Sequence, residues 1–302
     1  MQSNEHTPIE ANAYTVVKEK HLSPFQLAMR RFFKNKLAVF GLIILTFMIL
    51  VAIFAPLFAK HSPIESNLML VEQSPSKEHI LGTDSSGRDN FSRLVYGSRV
   101  SITIGIAAML FTVAIGVVLG SISGYYGGII DGIIMRAADL VLALPFLVLA
   151  ITIISIVERM TIGIFVTIIA LTTWPTLTRI IRGTFLSLRE REFVQGARAI
   201  GASDFRIIRK HFLPNAIGPI IVNATLLMAT MIIAESALSF IGMGIPQPTP
   251  TWGNMLTEAQ NIRILRNHPE AWIPPGLCIL ITVLAINFIG DGLRDAFDPK
   301  QR

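Results

Sequence analysis

Cysteine and charge are both scarce in this 302-residue chain, and each scarcity closes off a class of chemistry. A single cysteine, Cys278, excludes an intrachain disulfide and any cysteine-based metal site. The six histidines are scattered, without HExxH or paired spacing, so no metal centre is expected. No GxxxxGK[ST] run occurs, so the chain holds no phosphate-cradling loop of its own. Only 15% of residues are charged against 52% hydrophobic, and the mean hydropathy is +0.58. That balance predicts an integral membrane protein. The pI near 9.7 then belongs to basic loops flanking the membrane, and no nucleic-acid partner is expected.

Apolar length is what the chain does have. A bilayer core takes about 20 apolar residues in helix. Charge-free windows meet or approach that length at 37–59, 100–124, 140–157, 160–178, 212–234 and 272–290. Glu158 and Arg159 alone separate the third from the fourth, which predicts a tight helical hairpin. The fifth continues past Glu235 to about residue 242. Pro145 and Pro175 should kink spans three and four. Lys and Arg set the direction: with the N-terminus cytoplasmic, 18 of them fall inside and 8 outside, so both termini are expected in the cytoplasm. The first span, with a long basic approach and a 23-residue apolar core, reads as an uncleaved anchor rather than a signal peptide.

The chain then divides into a cytoplasmic tail over 1–36, a first span at 37–59, an external loop at 60–98, a membrane core at 99–293 and a cytoplasmic end at 294–302. Residues 1–24 show no period and read as a mobile tail. Over 25–36, Phe25, Leu27, Phe32 and Phe33 alternate with Arg and Lys, which predicts a basic amphipathic helix. Gly105, Gly116 and Gly120, with the run GSISG at 120–124, place small residues along span two, where they admit close helix approach.

The stretch REFVQGARAIGASDFRIIRKHFLP at 191–214 is out of character, being basic and amphipathic amid apolar sequence. Phe193, Val194, Ala197 and Ile200 recur at helical spacing, Gly201 stops that helix, and Ser203 or Asp204 can cap a second one carrying Phe205, Ile207, Ile208 and Phe212. Pro214 marks the break before span five. Physics alone leaves two readings open: a helix pair resting on lipid headgroups, or a knob offered to a cytoplasmic partner.

Gln195-Gly196-Ala197, three residues, Gly201, nine residues and His211-Phe212-Leu213-Pro214 resemble the EAA loop of ABC-importer permeases. The chain keeps Ala197, Gly201, Leu213 and Pro214 of that pattern, and departs at Gln195, Gly196 and His211. HILGTDSSGRD (79–89), LSFIGMGIPQPTPTWGNML (238–256) and NFIGDGLRDAFDP (287–299) resemble the C-type inner-membrane subunit of dipeptide, oligopeptide and nickel importers. The resemblance implies an all-α polytopic fold of six transmembrane helices, the type I ABC-importer permease fold, in the bacterial cytoplasmic membrane. It implies a non-catalytic subunit whose loop 182–215 couples to a separate ATPase through Gln195, Gly196, Ala197, Gly201, Ala202, Leu213 and Pro214. The implied partners are a second homologous permease, two ATP-binding subunits carrying ATP and Mg, an extracytoplasmic substrate-binding protein and the lipid bilayer. Oligopeptides or dipeptides are the implied substrates, with nickel the alternative. Gly201→Asp is expected to abolish transport and leave insertion intact.

Other polar residues have two readings each. Glu235, the one acid well inside a span, is either a hydrogen-bonded acid facing another helix or part of a polar translocation path, with Asn223 and Asn287 as companions. Asp84, Arg88 and Asp89 read as a hydrogen-bonded external turn, since no nucleophile or metal accompanies them. In GDGLRD, Arg294 can pair with Asp291 at i, i+3. An ion-driven secondary transporter is a weaker fit, because 37–157 and 160–290 show no repeat.

Overall fold

The computed structural model describes residues 24–298. The expected mobile tail up to residue 23, and Lys300 and Arg302, lie outside the described residues. Within them every regular element is helical, apart from an isolated bridge between Thr83 and Asp89. Helix α1 (Pro24–Lys34) leads into α2 (Lys36–Ile53) through Asn35, whose side-chain oxygen accepts the Leu37 and Ala38 amides. A break at Phe54 separates α2 from the short α3 (Ala55–Phe58). After a loop come α4 (Asn90–Tyr126), α5 (Gly128–Leu142), α6 (Phe146–Ile156) and α7 (Ile162–Arg189). A corner follows, made of α8 (Glu192–Ala199) and α9 (Asp204–Ile207), which opens into α10 (Leu213–Phe240). A second loop holds α11 (Trp252–Met255) and α12 (Ile262–Asn267), and α13 (Pro269–Phe297) closes the described chain.

Five helical stretches are long and apolar enough to cross a membrane: α2, α4, α7, the run from Asp204 to Phe240, and α13. The bent pair α5 and α6, turned by 88°, makes a sixth if counted as one span. This corrects the bounds of the third span, expected at 140–157, and deepens the kink expected at Pro145 into a break. The helix there starts at Gly128 and breaks after Leu142, because Pro145 has no amide to donate and bars Leu144 from helical backbone. By contrast, α7 runs on through Pro175. The break expected at Pro214 is also corrected. The chain stays helical from Asp204 to Phe240, with one wide turn at Ile208–Phe212 where the Leu213 amide reaches back to the Ile208 carbonyl. That extra residue supplies the slack a proline ring needs against the preceding turn.

The small residues of α4 set the centre of the bundle. Gly116, Gly120 and Gly124 face Leu177, Ile181 and Phe185 of α7. A β-carbon on Gly120 would stand 2.7 Å from both Ile181 Cβ and the Thr178 carbonyl oxygen. Helix backbones this close gain dispersion contacts that lipid cannot match. Gly120→Val is therefore expected to cost about 1–3 kcal/mol or more, since a backbone carbonyl cannot rotate aside. Thermal unfolding of the purified protein in detergent checks this, and an unchanged midpoint contradicts it. Two glycines that the sequence reading passed over do similar work: Gly41 faces the Ala285 carbonyl and Gly292 faces Ala38, which seats α13 against α2. Near its end α13 also covers Ala28 and Phe32, the buried side of the basic helix α1. The local Asp291–Arg294 pair does not form among the described residues; Asp295 accepts a bond from Asn35 across helices instead, at 3.5 Å.

Candidate functional site

The corner after α7 is built by a helix stop of a recognisable kind. Gly201 adopts φ +77°, its amide donates to the Arg198 carbonyl at 2.9 Å, and the Ala202 amide donates to the Ala197 carbonyl at 3.0 Å. These are the paired bonds of a Schellman motif, which needs a residue in left-handed backbone, and glycine takes it without a β-carbon penalty. Ser203 stands in extended backbone ahead of α9 but makes no side-chain cap bond. Asp204 accepts the Tyr125 hydroxyl at 2.6 Å, which ties the corner to the end of α4. The Arg198 guanidinium lies over the Tyr125 ring at 5.1 Å, and the Phe212 ring meets Tyr125 and Phe185 with centroids 5.4 and 4.8 Å away.

The expected apolar stripe divides in two. Val194, Ala197, Ile207 and Phe212 are buried against Ile181 and Phe185 of α7. Phe193, Ile200 and Phe205 point outward, 45%, 86% and 73% exposed. Three large apolar side chains thus stand on a corner whose inner half is already filled. Gln195 is exposed and donates weakly to the Glu190 carbonyl, at 3.4 Å. A β-carbon on Gly196 would meet nothing within 4 Å, so an alanine fits there and the glycine leaves the helix softer by roughly 1 kcal/mol. Ala202 and Leu213 are half-buried and Pro214 is exposed. Beside the corner, Arg182 of α7 donates two bonds to Asp131 of α5, at 2.5 and 2.6 Å. Nothing in the sequence spacing pairs these residues, which lie 51 positions apart.

At the other end of the bundle the two long loops interlock. Asp84 is buried and accepts the Ser86 and Arg88 amides at 2.8 and 2.9 Å, and Arg88 Nε at 2.7 Å. Arg93, also buried, approaches Asp84 at 3.3 Å. Both guanidiniums donate to the Gln247 side-chain oxygen, at 2.5 and 3.2 Å, so the first loop is bolted to the second. Asp89 caps α4 through the Ser92 amide at 2.7 Å and holds His79 Nδ1 at 2.9 Å. The turn foreseen at Asp84, Arg88 and Asp89 is present, but Arg93, Gln247 and His79 complete it, and these the sequence reading missed.

Glu258 closes a polar hollow nearby, where Ser85 Oγ donates to it at 2.8 Å. Burial, set against that hydrogen bond, holds its carboxyl above the usual glutamate value. A folded-state value raised above the unfolded one means that ionisation opposes folding. Stability is then expected to fall as pH rises from about the ordinary glutamate value of 4.5 through the raised one. Glu258→Gln should remove that fall, which pH-dependent thermal unfolding of the two proteins compares.

Glu235 is wholly enclosed. It accepts Ser239 Oγ at 2.8 Å and Ser101 Oγ of α4 at 3.2 Å, and Ser101 Oγ in turn accepts the Trp252 amide at 3.1 Å. Asn223 lines a hollow between α7 and α10 with Thr176 and Thr230, and donates back to the Pro219 carbonyl at 2.8 Å. Asn287 is half-buried on α13. The three therefore do not share one pocket in this conformation.

Long apolar helices, with a glycine-stopped corner at one end and interlocked loops at the other, define a multi-pass membrane protein. The fold matches a chain of the methionine ABC transporter MetNI, solved in inward-facing conformations. The TM-score is 0.56 at 19% identity, covering 68% of this chain and 96% of that one. The model of the family described as binding-protein-dependent transport system inner membrane component matches residues 116–302, and the chain belongs to that family. A second model, the N-terminal TM domain of oligopeptide transport permease C, matches residues 23–75. The oligopeptide transport system permease protein OppC of Bacillus subtilis is 43% identical over 99% of this chain and 98% of its own length. The dipeptide transport system permease protein DppC of Alkalihalophilus pseudofirmus is 43% identical over 100% and 97%. The chain is an ABC-importer permease subunit, multi-pass in the bacterial cytoplasmic membrane.

Proposed function

We propose that the chain carries peptides, oligopeptides or dipeptides, inward across the membrane, and that α8, Gly201 and α9 form the element that docks in a cytoplasmic ATPase subunit. The observation that carries the docking half is the outward set Phe193, Ile200 and Phe205, held on a corner that Tyr125 and Asp204 anchor to α4. A helix pair resting on lipid would be free to tilt; this one is fixed to the bundle by buried packing and a hydrogen bond. The peptide half rests on relatives named for peptide transport that align end to end with this chain. Both termini and the corner lie in the cytoplasm by the Lys and Arg bias, and the loops with Asp84 and Gln247 face outward.

The mechanism is mechanical. ATP and Mg bind on two partner ATPase subunits, whose closure moves their clefts and the corners seated in them. This chain and a second permease subunit then alternate between inward-open and outward-open states, each favoured by whichever partner binds it better. An external binding protein delivers substrate to the outward loops. The exposed apolar sides of α5 and α6, including Ile129, Ile133, Leu140 and Val148, supply surface for lipid or the second permease. Uptake of labelled tetrapeptide, labelled dipeptide and nickel ion tests the proposal, in cells with and without the gene, before and after ATP depletion. ATP-dependent peptide uptake that vanishes on deletion is expected. Loss of nickel uptake alone would replace the substrate and keep the subunit. Loss of uptake that ATP depletion leaves untouched in the parent would overturn ATP drive.

A further inference from the structure

The loop between α3 and α4 brings His61 against Glu78 and His79, which lie 17 and 18 positions further along the sequence. The rings of His61 and His79 face each other with centroids 4.6 Å apart and planes 36° from parallel. One ligating atom from each of His61, His79 and Glu78 lies within 4.8 Å of the others. His79 is buried, His61 half-buried and Glu78 exposed.

Each ring already has one nitrogen committed. His79 Nδ1 is 2.9 Å from Asp89 Oδ1, and His61 Nε2 is 3.1 Å from the Glu78 carbonyl oxygen. A carboxylate and a carbonyl oxygen accept, so the tautomer that fits both contacts has these two nitrogens as donors. The lone pairs are thereby assigned to His79 Nε2 and His61 Nδ1. Imidazole oriented by a carboxylate or a backbone carbonyl on its far nitrogen is the arrangement that readies histidine to bind a metal. Beside the rings opens a polar hollow of about 230 Å³ whose wall includes Ser62, Glu65 and Asn67, with room for water or a further ligand.

We propose that His61, His79 and Glu78 form a binding site for a divalent cation of the zinc class in the loop between α3 and α4. Two imidazoles and one carboxylate are a donor set that zinc accepts, with water from the hollow completing four ligands. Tetrahedral zinc needs donors about 3.3 Å apart, so the three donors, within 4.8 Å of one another, would draw together on binding, with the exposed Glu78 side chain the freest to move. The ion would clip residue 61, just past α3, to residues 78–79, next to the Asp89 cap of α4. The site is independent of what the permease carries.

The test uses the full chain, purified with a tag free of histidine and titrated with zinc against a chromogenic chelator, then with cobalt as a spectroscopic stand-in. One tight zinc equivalent per chain is expected, and a visible cobalt absorption typical of four-coordinate nitrogen and oxygen ligands. His61→Ala should weaken zinc by roughly 100-fold and Glu78→Gln by about tenfold or more, since even outer-shell losses cost metal sites about that much. Glu78 is exposed, so its variant keeps the test open should His61→Ala fail to fold. No stoichiometric zinc, or unchanged affinity and cobalt spectrum in either folded variant, would overturn the site.

Discussion

Replacing Gly201 with aspartate is expected to cut ATP-driven uptake at least tenfold while the protein stays folded in the membrane. The two halves of that result have separate causes. A β-carbon at Gly201 meets nothing within 4 Å, so no core contact is lost and insertion proceeds. The backbone there is left-handed at φ +77°, which costs an L-residue about 1 kcal/mol, and aspartate tolerates it better than most. Strain alone would therefore soften the corner without dismantling it. The larger effect comes from placing a charge beside Ile200, on the face proposed to dock in the ATPase subunit. Burying an unpaired carboxylate in an interface costs several kcal/mol. Gly201→Ala, which adds the strain without the charge, should lose much less. Uptake in membrane vesicles, normalised to the amount of inserted protein, separates the cases; normal uptake by the aspartate variant would remove the corner from the mechanism.

Asp84→Ala is expected to be the most destabilising substitution in the loops, by about 3–5 kcal/mol. Asp84 is the shared anion for Arg88 and Arg93, and both cations stay buried when it goes. The Ser86 and Arg88 amides lose their acceptor as well. Gln247 remains, but one amide oxygen cannot neutralise two guanidiniums. The loss should appear as a lower thermal midpoint and as faster proteolysis of the loop ahead of α4. An unchanged midpoint would mean that water reaches both arginines readily.

How far the sequence could be read depended on whether the deciding neighbour was local. Gly201 was legible because a helix stop is made by the residues around it, and the Schellman bonds confirm the stop. Five of the six spans were legible from length and hydropathy; the bounds of the third were not, because it is divided by a sharp bend. The split of the corner's apolar stripe was not, because Tyr125 and Phe185, which choose Phe212 over Phe205 for burial, come from other helices. For the same reason Asp131 with Arg182, and Arg93 with Gln247, left no trace in spacing. Pro145, read as a kink, and Pro214, read as a break, behave the other way round. The first ends a helix, while the second follows a wide turn that absorbs it, and only the hydrogen bonds of that turn distinguish them. His61 and His79 were dismissed as scattered because a loop, not a helix, brings them together.

Helix α4 runs 37 residues without a break from the capped turn at Asp89 to the Tyr125 contact with the corner. Its close crossing with α7, centred on Gly120 between Gly116 and Gly124, is far from its middle. At 1.5 Å per residue the pivot leaves an arm of about 8 Å to Tyr125 and about 45 Å to Asn90. Geometrically this is a beam with unequal arms. A rocking of about 1 Å at the Tyr125 end would sweep the opposite tip by about 5 to 6 Å, and Gln247, Glu235 and Trp252, which are bonded to Arg93, Ser101 and Leu94 of the long arm, would travel with it. Small strokes near the short end and wide swings of the loops beyond the long end then belong to one rigid body.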